Sequence, residues 1–181
     1  MMKFLIISGN PKKDGLCHSV MEEVIRGAKD GGADVSVFDT TNIPRCHTCN
    51  GGWGTCLEKH TCSFGKDGDE AGTSFDDGQQ AVAEAGAYCI ITPTYWHEMS
   101  EPLKAFLDRL RRCEASKHFG NNGQKTIMEG KQTLLIASPG GTGRGVLNCL
   151  EQMEAFCQHV GAVVFDHIGI NRWNNDYKKQ A

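Results

Sequence analysis

At 181 residues, 39% hydrophobic and 23% charged, the chain is long enough to bury one sizeable core and has the make-up of an ordinary globular protein. A formal net charge of −3 gives no general pull toward nucleic acid or acidic membrane surfaces. No stretch approaches the roughly 20 apolar residues of a membrane span, and the opening run MMKFLIISGNP is too short for a signal-peptide core. Cytoplasm is therefore the expected compartment, with neither a membrane nor a nucleic acid as partner.

In chain order, five short apolar runs predict strands, at 3–8, 33–39, 87–92, 133–138 and 162–169. The first, third and fourth are nearly continuous in hydrophobic residues, as parallel strands covered on both faces are. Helical patterns lie between them. The stretch 18–29 is the first and ends at Gly31-Gly32. Ser100 is placed to cap another, with Pro102 in its first turn. Leu103, Phe106, Leu107 and Leu110 form that helix's apolar stripe, and Arg109, Arg111 and Arg112 suit its C-terminal end. The stretch 143–160 repeats the pattern, with Gly161 as its stop. Strands alternating with helices argue a doubly wound parallel sheet. There is no internal repeat and no domain boundary, so residues 1–181 are expected to form one domain. Two polar stretches, 43–77 and 115–130, read as long connections, the first as a cysteine-rich loop insertion.

The loop after the first strand, Gly9-Asn10-Pro11-Lys12-Lys13-Asp14-Gly15-Leu16-Cys17-His18-Ser19, feeds a helix N-terminus. Such a turn aims backbone N–H groups and the positive dipole end at one spot, which suits a phosphate. Ser8, Asn10 and Ser19 add neutral donors and Lys12 adds charge. Gly15 is followed by Leu16, so this is not a nucleoside-triphosphate loop, and a G-x-G-x-x-G fingerprint is missing. After the third strand comes Pro93-Thr94-Tyr95-Trp96-His97-Glu98-Met99-Ser100. The aromatic pair either offers a stacking face for a planar ring or covers the end of the core. The fourth ends in Ser138, Pro139, Gly140, Gly141, Thr142 and Gly143, where glycines permit a ligand to approach the backbone or simply make a turn. The three loops together open on one edge of the sheet, where open α/β sheets bind ligands.

The pieces SGNPKKDGLCHS, TPTYWHEMSEPLKAFLDRL and SPGGTG resemble the NADPH-dependent FMN reductase branch of the flavodoxin superfamily. The resemblance implies a flavodoxin-like, doubly wound five-stranded parallel sheet in the order 2-1-3-4-5. It implies that Ser8, Asn10, Lys12, Cys17, His18 and Ser19 hold an FMN phosphate. It also implies that Pro93, Thr94, Tyr95, Trp96 and His97 cradle the isoalloxazine, with Ser138, Gly140 and Gly141 at its other edge. His97 stands where such relatives usually carry glycine. The implied activity is an FMN-dependent oxidoreductase passing reducing equivalents from NAD(P)H to a quinone, flavin, metal or protein acceptor, as a homodimer or higher homo-oligomer. No residue need act as nucleophile or acid, because the hydride and electron chemistry belongs to the flavin. A non-enzymatic electron carrier is the alternative, and a flavin-free redox or metal sensor a third reading.

The nine cysteines are odd in number, and four of them, Cys46, Cys49, Cys56 and Cys62, crowd into one loop with His47 and His60. Three readings compete for these four: a 4Fe–4S cluster, zinc through Cys and His, and free thiols. The position resembles the cysteine loop of iron–sulfur flavoproteins, but Gly52 stands where their compact motif has its third cysteine. Free thiols are the preferred reading. Cys89, Cys113, Cys149 and Cys157 are expected to pack as small apolar residues. The run 66–72 is read as a solvated turn rather than a calcium loop.

Overall fold

The computed structural model describes residues 1–47, 49, 54–68, 72–119, 123–141 and 143–171. Gly52, Thr142 and parts of the runs 66–72 and 120–123, all singled out above, lie outside the described residues.

Strand β1 (Lys3–Ser8) pairs in parallel with β2 (Asp34–Asp39) on one side and β3 (Ala87–Tyr95) on the other. Strand β3 pairs in parallel with β5 (Gln132–Pro139), and β5 with β6 (Val163–Gly169), giving the order β2-β1-β3-β5-β6. Counted as parallel strands alone, this is the second-first-third-fourth-fifth order of a flavodoxin-like sheet. The sixth strand, β4 (Glu98–Met99), is two residues long and runs antiparallel to the end of β3, in the register Thr94↔Met99 and Tyr95↔Glu98.

The continuous apolar runs are explained by cover on both faces. Alternate residues of β1 and β3 part into two cores. Leu5, Ile7, Tyr88 and Ile90 meet helices α3 (Phe75–Glu84), α4 (Glu101–Phe119) and α5 (Val146–His159). Phe4, Ile6, Cys89 and Ile91 meet Cys17, Val20 and Val24 of α1 (Leu16–Asp30). Among the described residues no helix is long and apolar enough to cross a membrane.

Four details depart from the reading of the sequence. The expected structureless stretch 43–77 contains a one-turn helix, α2 (Thr55–Glu58), and the start of α3. A capping box starts α3: the Ser74 hydroxyl accepts the Asp77 N–H at 3.1 Å while the Asp77 carboxylate accepts the Ser74 N–H at 3.1 Å. Helix α4 runs on to Phe119 through part of the polar stretch expected to be a loop. Its fully buried Glu114 accepts from Lys117 Nζ (2.7 Å), Gln79 Nε2 (3.0 Å) and the Ile127 N–H (2.9 Å), so the polar residues there tie elements together. Third, β3 continues to Tyr95, because Pro93 and Thr94 keep pairing with Ser138 and Pro139. Fourth, the Ser100 hydroxyl is turned away from capping α4 and donates to the Gly9 carbonyl at 2.6 Å.

Phe106 is fully buried, with its ring 5.1 Å from Phe38 and 5.7 Å from Phe75 by centroid. Phe106→Ala is expected to cost about 3–5 kcal/mol of stability, read as a lowered urea midpoint at unchanged slope.

Candidate functional site

The carboxyl ends of β1, β3 and β5 open on one edge of the sheet, and these strand ends and the loops leaving them line a cleft. The first loop is shaped from within. The Ser8 hydroxyl, buried, accepts the Asn10 N–H at 3.3 Å. Asn10 donates from Nδ2 to the Lys12 carbonyl (2.5 Å) and accepts the Lys12 N–H at Oδ1 (3.3 Å). One hydrogen of its side-chain amide is thus engaged in folding the turn. Gly9 makes the closest approach: a Cβ there would lie 2.5 Å from both Leu103 Cβ and Ser100 Oγ. Lys13 Nζ meets Asp39 Oδ2 at 2.5 Å, and Asp39 also accepts the Thr41 N–H (2.9 Å) and hydroxyl (2.7 Å). Burial alone would raise the Asp39 carboxyl; the Lys13 and Thr41 donors outweigh it and hold the group below its ordinary range.

Helix α1 then begins without a side-chain cap, at Gly15. Its first intrahelical bond runs from the Ser19 N–H to the Gly15 carbonyl (3.0 Å), so the amides of Leu16, Cys17 and His18 stand ahead of the ladder at the cleft. The backbone amide of Ser19 is engaged inside the helix. The Cys17 thiol is pushed up to about 12 by burial and then by Cys149, so it faces the cleft uncharged.

The aromatic loop is a tight hairpin. Trp96 and His97 occupy the left-handed region, with φ of 50° and 70°, and turn the chain from β3 into β4 in two residues. Such turns favour Asn-Gly, because ordinary residues are strained there. Trp96 is 96% exposed and Tyr95 45% exposed, so the pair does not cover the end of the core. His97 packs against the loop after β5: a Cβ at Gly145, itself at φ +82°, would lie 2.5 Å from His97 Cα and 2.6 Å from His97 Cγ. At the end of β5 the Ser138 hydroxyl is buried without a hydrogen-bond partner among the described residues. Added methyl groups at Gly140 and Gly141 would meet nothing within 4 Å.

Of the residues expected at an FMN site, Asn10, Lys12, Cys17, Pro93, Tyr95, Ser138 and Gly140 line the cleft. Gly15, Leu16 and Pro139 line it too, and their backbone role carries no side-chain signal in the sequence. Ser8 and Thr94 lie behind the lining as buried residues, His18 and Ser19 along α1, and Trp96, His97 and Gly141 at the exposed rim.

The four loop cysteines have different surroundings. The exposed Cys46 thiol donates weakly to the His47 carbonyl (3.6 Å), and a Cβ at Gly54 would lie 2.7 Å from Cys49 Sγ. Cys56 is buried on α2, while Cys62 Sγ accepts from Arg109 Nη2 at 3.0 Å. His47 stacks on Phe64 (4.8 Å), and His60 Nδ1 bonds the Ser116 hydroxyl (2.8 Å). Among the described residues no group of three or more His, Cys, Asp or Glu is placed to hold a metal ion.

The sequence model of the NADPH-dependent FMN reductases matches residues 2–174. The chain belongs to this family. Among curated proteins it is similar to an iron–sulfur flavoprotein of Archaeoglobus fulgidus, 27% identical over 111 residues, which is 60% of this chain and 46% of that protein. The chain thus spans under half the length of that relative. Among solved structures it is similar to an FMN-dependent NADH-azoreductase from Bacillus anthracis in complex with FMN (TM-score 0.68, 14% identity, 98% of this chain and 95% of that one). It is also similar to an NAD(P)H:quinone oxidoreductase from Methanothermobacter marburgensis (TM-score 0.65, 16% identity, 99% and 89%). At these identities the structural likeness is one of fold.

The Gly145 seat generates a prediction specific to this member of the FMN reductase family. Gly145→Ala is expected to lose about 1–3 kcal/mol, because it adds left-handed strain to a clash with backbone. Gly140→Ala, with open space around it, should stay within about 0.5 kcal/mol of wild type in the same urea titration.

Proposed function

We propose that this chain is an FMN-dependent oxidoreductase that takes reducing equivalents from NAD(P)H and passes them to a small acceptor of the quinone type. One observation carries the reading: uncapped amides of a helix N-terminus, a lysine, an unpartnered buried hydroxyl and an exposed tyrosine ring all line a single cleft. The residues present fit FMN. The amides of Leu16, Cys17 and His18, with Lys12 beside them, would hold its phosphate. The strand end Pro93–Thr94–Tyr95 and the Ser138-Pro139-Gly140 backbone would flank its ring, with the Ser138 hydroxyl free to bond a polar ring edge. When bound, the flavin supplies the hydride- and electron-accepting chemistry.

The chain's own residues bind and orient. A single monophosphate pocket and no dinucleotide fingerprint favour FMN over FAD. Tyr95 offers a half-exposed ring face for stacking. The uncharged Cys17 thiol places no anion against the phosphate. Trp96, almost wholly exposed at the hairpin tip, is suited to meet either an acceptor or a second subunit, and a homodimer is the assembly we favour. For the cysteine loop the favoured reading is reduced thiols, since Cys56 packs in the core and Cys62 is bound by Arg109.

The test is spectroscopic and kinetic. Purified protein is expected to show flavin absorbance, to release FMN on denaturation, and to oxidise NADH or NADPH with a benzoquinone acceptor. Stoichiometric FAD, or flavin-loaded protein that leaves both nucleotides unoxidised, would sink the proposal. Lys12→Glu should weaken FMN binding roughly 10- to 100-fold, about 1.4–3 kcal/mol, with the unfolding midpoint unchanged.

A further inference from the structure

Helix α4 carries a row of residues that the cleft does not use. Arg109, Cys113 and Ser116 fall on one face, spaced by four and three residues, and the cysteine loop lies across them. Arg109 is 2% exposed, and the hydrogen bonds it makes to the described residues go to carbonyls and a sulfur rather than to a carboxylate. Its Nη1 donates to the Pro44 carbonyl, its Nη2 to the Phe64 carbonyl and to Cys62 Sγ, each of the latter two at 3.0 Å. One turn along, the Cys113 thiol is buried in the same cluster as Cys56, with Cys62 packed against that cluster from outside. The single Ser116 Oγ hydrogen lies within reach of the carbonyls of both Cys56 (2.8 Å) and Cys113 (2.9 Å), a contact that ties α2 to α4 there. Burial first, then the nearby Cys56 and Cys62, keep the Cys113 thiol above its ordinary range.

Three thiols and a buried guanidinium therefore meet at one place, and only Cys62 of the three is reachable from solvent. We propose that Cys62 is a peroxide-oxidised thiol and that Cys113 of α4 resolves it, closing a disulfide that pins the cysteine loop to α4. The oxidant is hydrogen peroxide. Cys62 Sγ attacks one peroxide oxygen; the S–O bond forms, the O–O bond breaks, and the second oxygen leaves as hydroxide and takes the thiol proton as water. Sulfur loses two electrons and the peroxide gains them. Cys113 Sγ then attacks Cys62 Sγ, the S–S bond forms, the S–O bond breaks, and a second water leaves with the Cys113 proton. Reactive thiols sit beside fixed cations in partly exposed places, which is the setting the Arg109–Cys62 contact creates. The same guanidinium faces the oxygen that departs as an anion. A dithiol such as dithiothreitol reverses the disulfide by exchange.

Exposure alone ranks the exposed Cys46 ahead of Cys62, so the two cysteines compete within one molecule. The experiment uses the full chain as purified, reduced and desalted without oxygen, then titrated with hydrogen peroxide, alkylated and digested with trypsin. Cleavage after Lys59, Lys66, Arg112 and Lys117 puts Cys62 and Cys113 on separate short peptides, apart from Cys46, Cys49 and Cys56. The expected result is loss of alkylatable Cys62 before Cys46, with one dithiothreitol-reversible Cys62–Cys113 cross-link per chain. In Cys113→Ser, dimedone should trap a sulfenic acid on Cys62. Cys46 reacting first, a cross-link that omits either Cys62 or Cys113, or iron or zinc stoichiometric with the chain and holding these thiols as ligands would each overturn the proposal. None of these readouts depends on flavin turnover, so they fail or succeed separately from the proposed reductase activity.

Discussion

The Gly9 N–H donates to the Ile91 carbonyl (2.9 Å), and the Gly9 carbonyl accepts the Ser100 hydroxyl (2.6 Å). Any side chain at this position would strike Leu103 and Ser100. The end of β1 is therefore pressed onto the start of α4 with no room for adjustment, and both neighbouring loops follow from that. The first loop must rise from Gly9 into the turn that Asn10 folds around Lys12. Ser100, whose N–H donates to Thr92 Oγ1 at 3.0 Å, must end the β3–β4 hairpin at the same point. One hydroxyl thus sets the distance between a helix N-terminus and the aromatic tip. A phosphate and a ring joined by a short chain require that distance to be held.

Arg109 does comparable work on the other side of α4. Burying a guanidinium is costly unless its donors are satisfied, and here backbone carbonyls at 44 and 64 and the sulfur of Cys62 satisfy most of them. The guanidinium also lies 4.4 Å from the centroid of the Phe75 ring, which adds a cation–π contact and couples the loop to the first residue of α3. A long, glycine- and cysteine-rich connection would otherwise have little apolar surface with which to dock. Its order at 54–68 comes from polar ties to α4, among them Arg109 to Phe64 and Ser116 to Cys56, more than from a core of its own.

The parallel strands were legible because cover on both faces writes an unbroken apolar run, as in FLII of β1 and YCII of β3. Legibility failed where structure is carried by something other than periodicity. Helix α3 offers only Phe75 and Val82 as large buried apolar residues, so its clearest trace is the Ser74-x-x-Asp77 capping box. The β3–β4 hairpin lacks the Asn-Gly signature that its backbone calls for, since Trp96 and His97 take the left-handed positions. At the site, the positions of the three loops followed from strand order, and seven of the expected residues line the cleft. What individual side chains do there was not readable. Asn10 looks like a ligand donor in sequence, and its part in folding the turn shows only in space, because only the fold shows that Lys12's backbone is within its reach.

Electrostatics at this cleft are compatible with the proposed phosphate. A chain of net charge −3 must gather positive potential locally if it is to hold a phosphate. No Asp or Glu is among the residues lining the cleft, and Asp39, on the strand beside β1, is matched by Lys13 and by two donors from Thr41. Lys13 is therefore occupied, which leaves Lys12 as the cation among the lining residues. The remaining positive potential is that of backbone amides at the start of α1, fixed by the fold and independent of pH. Binding of this kind rests mainly on main-chain geometry, so it survives wide variation in side chains. A chain only 14% identical to the Bacillus anthracis azoreductase keeps the same fold, and main-chain geometry is what a shared fold preserves.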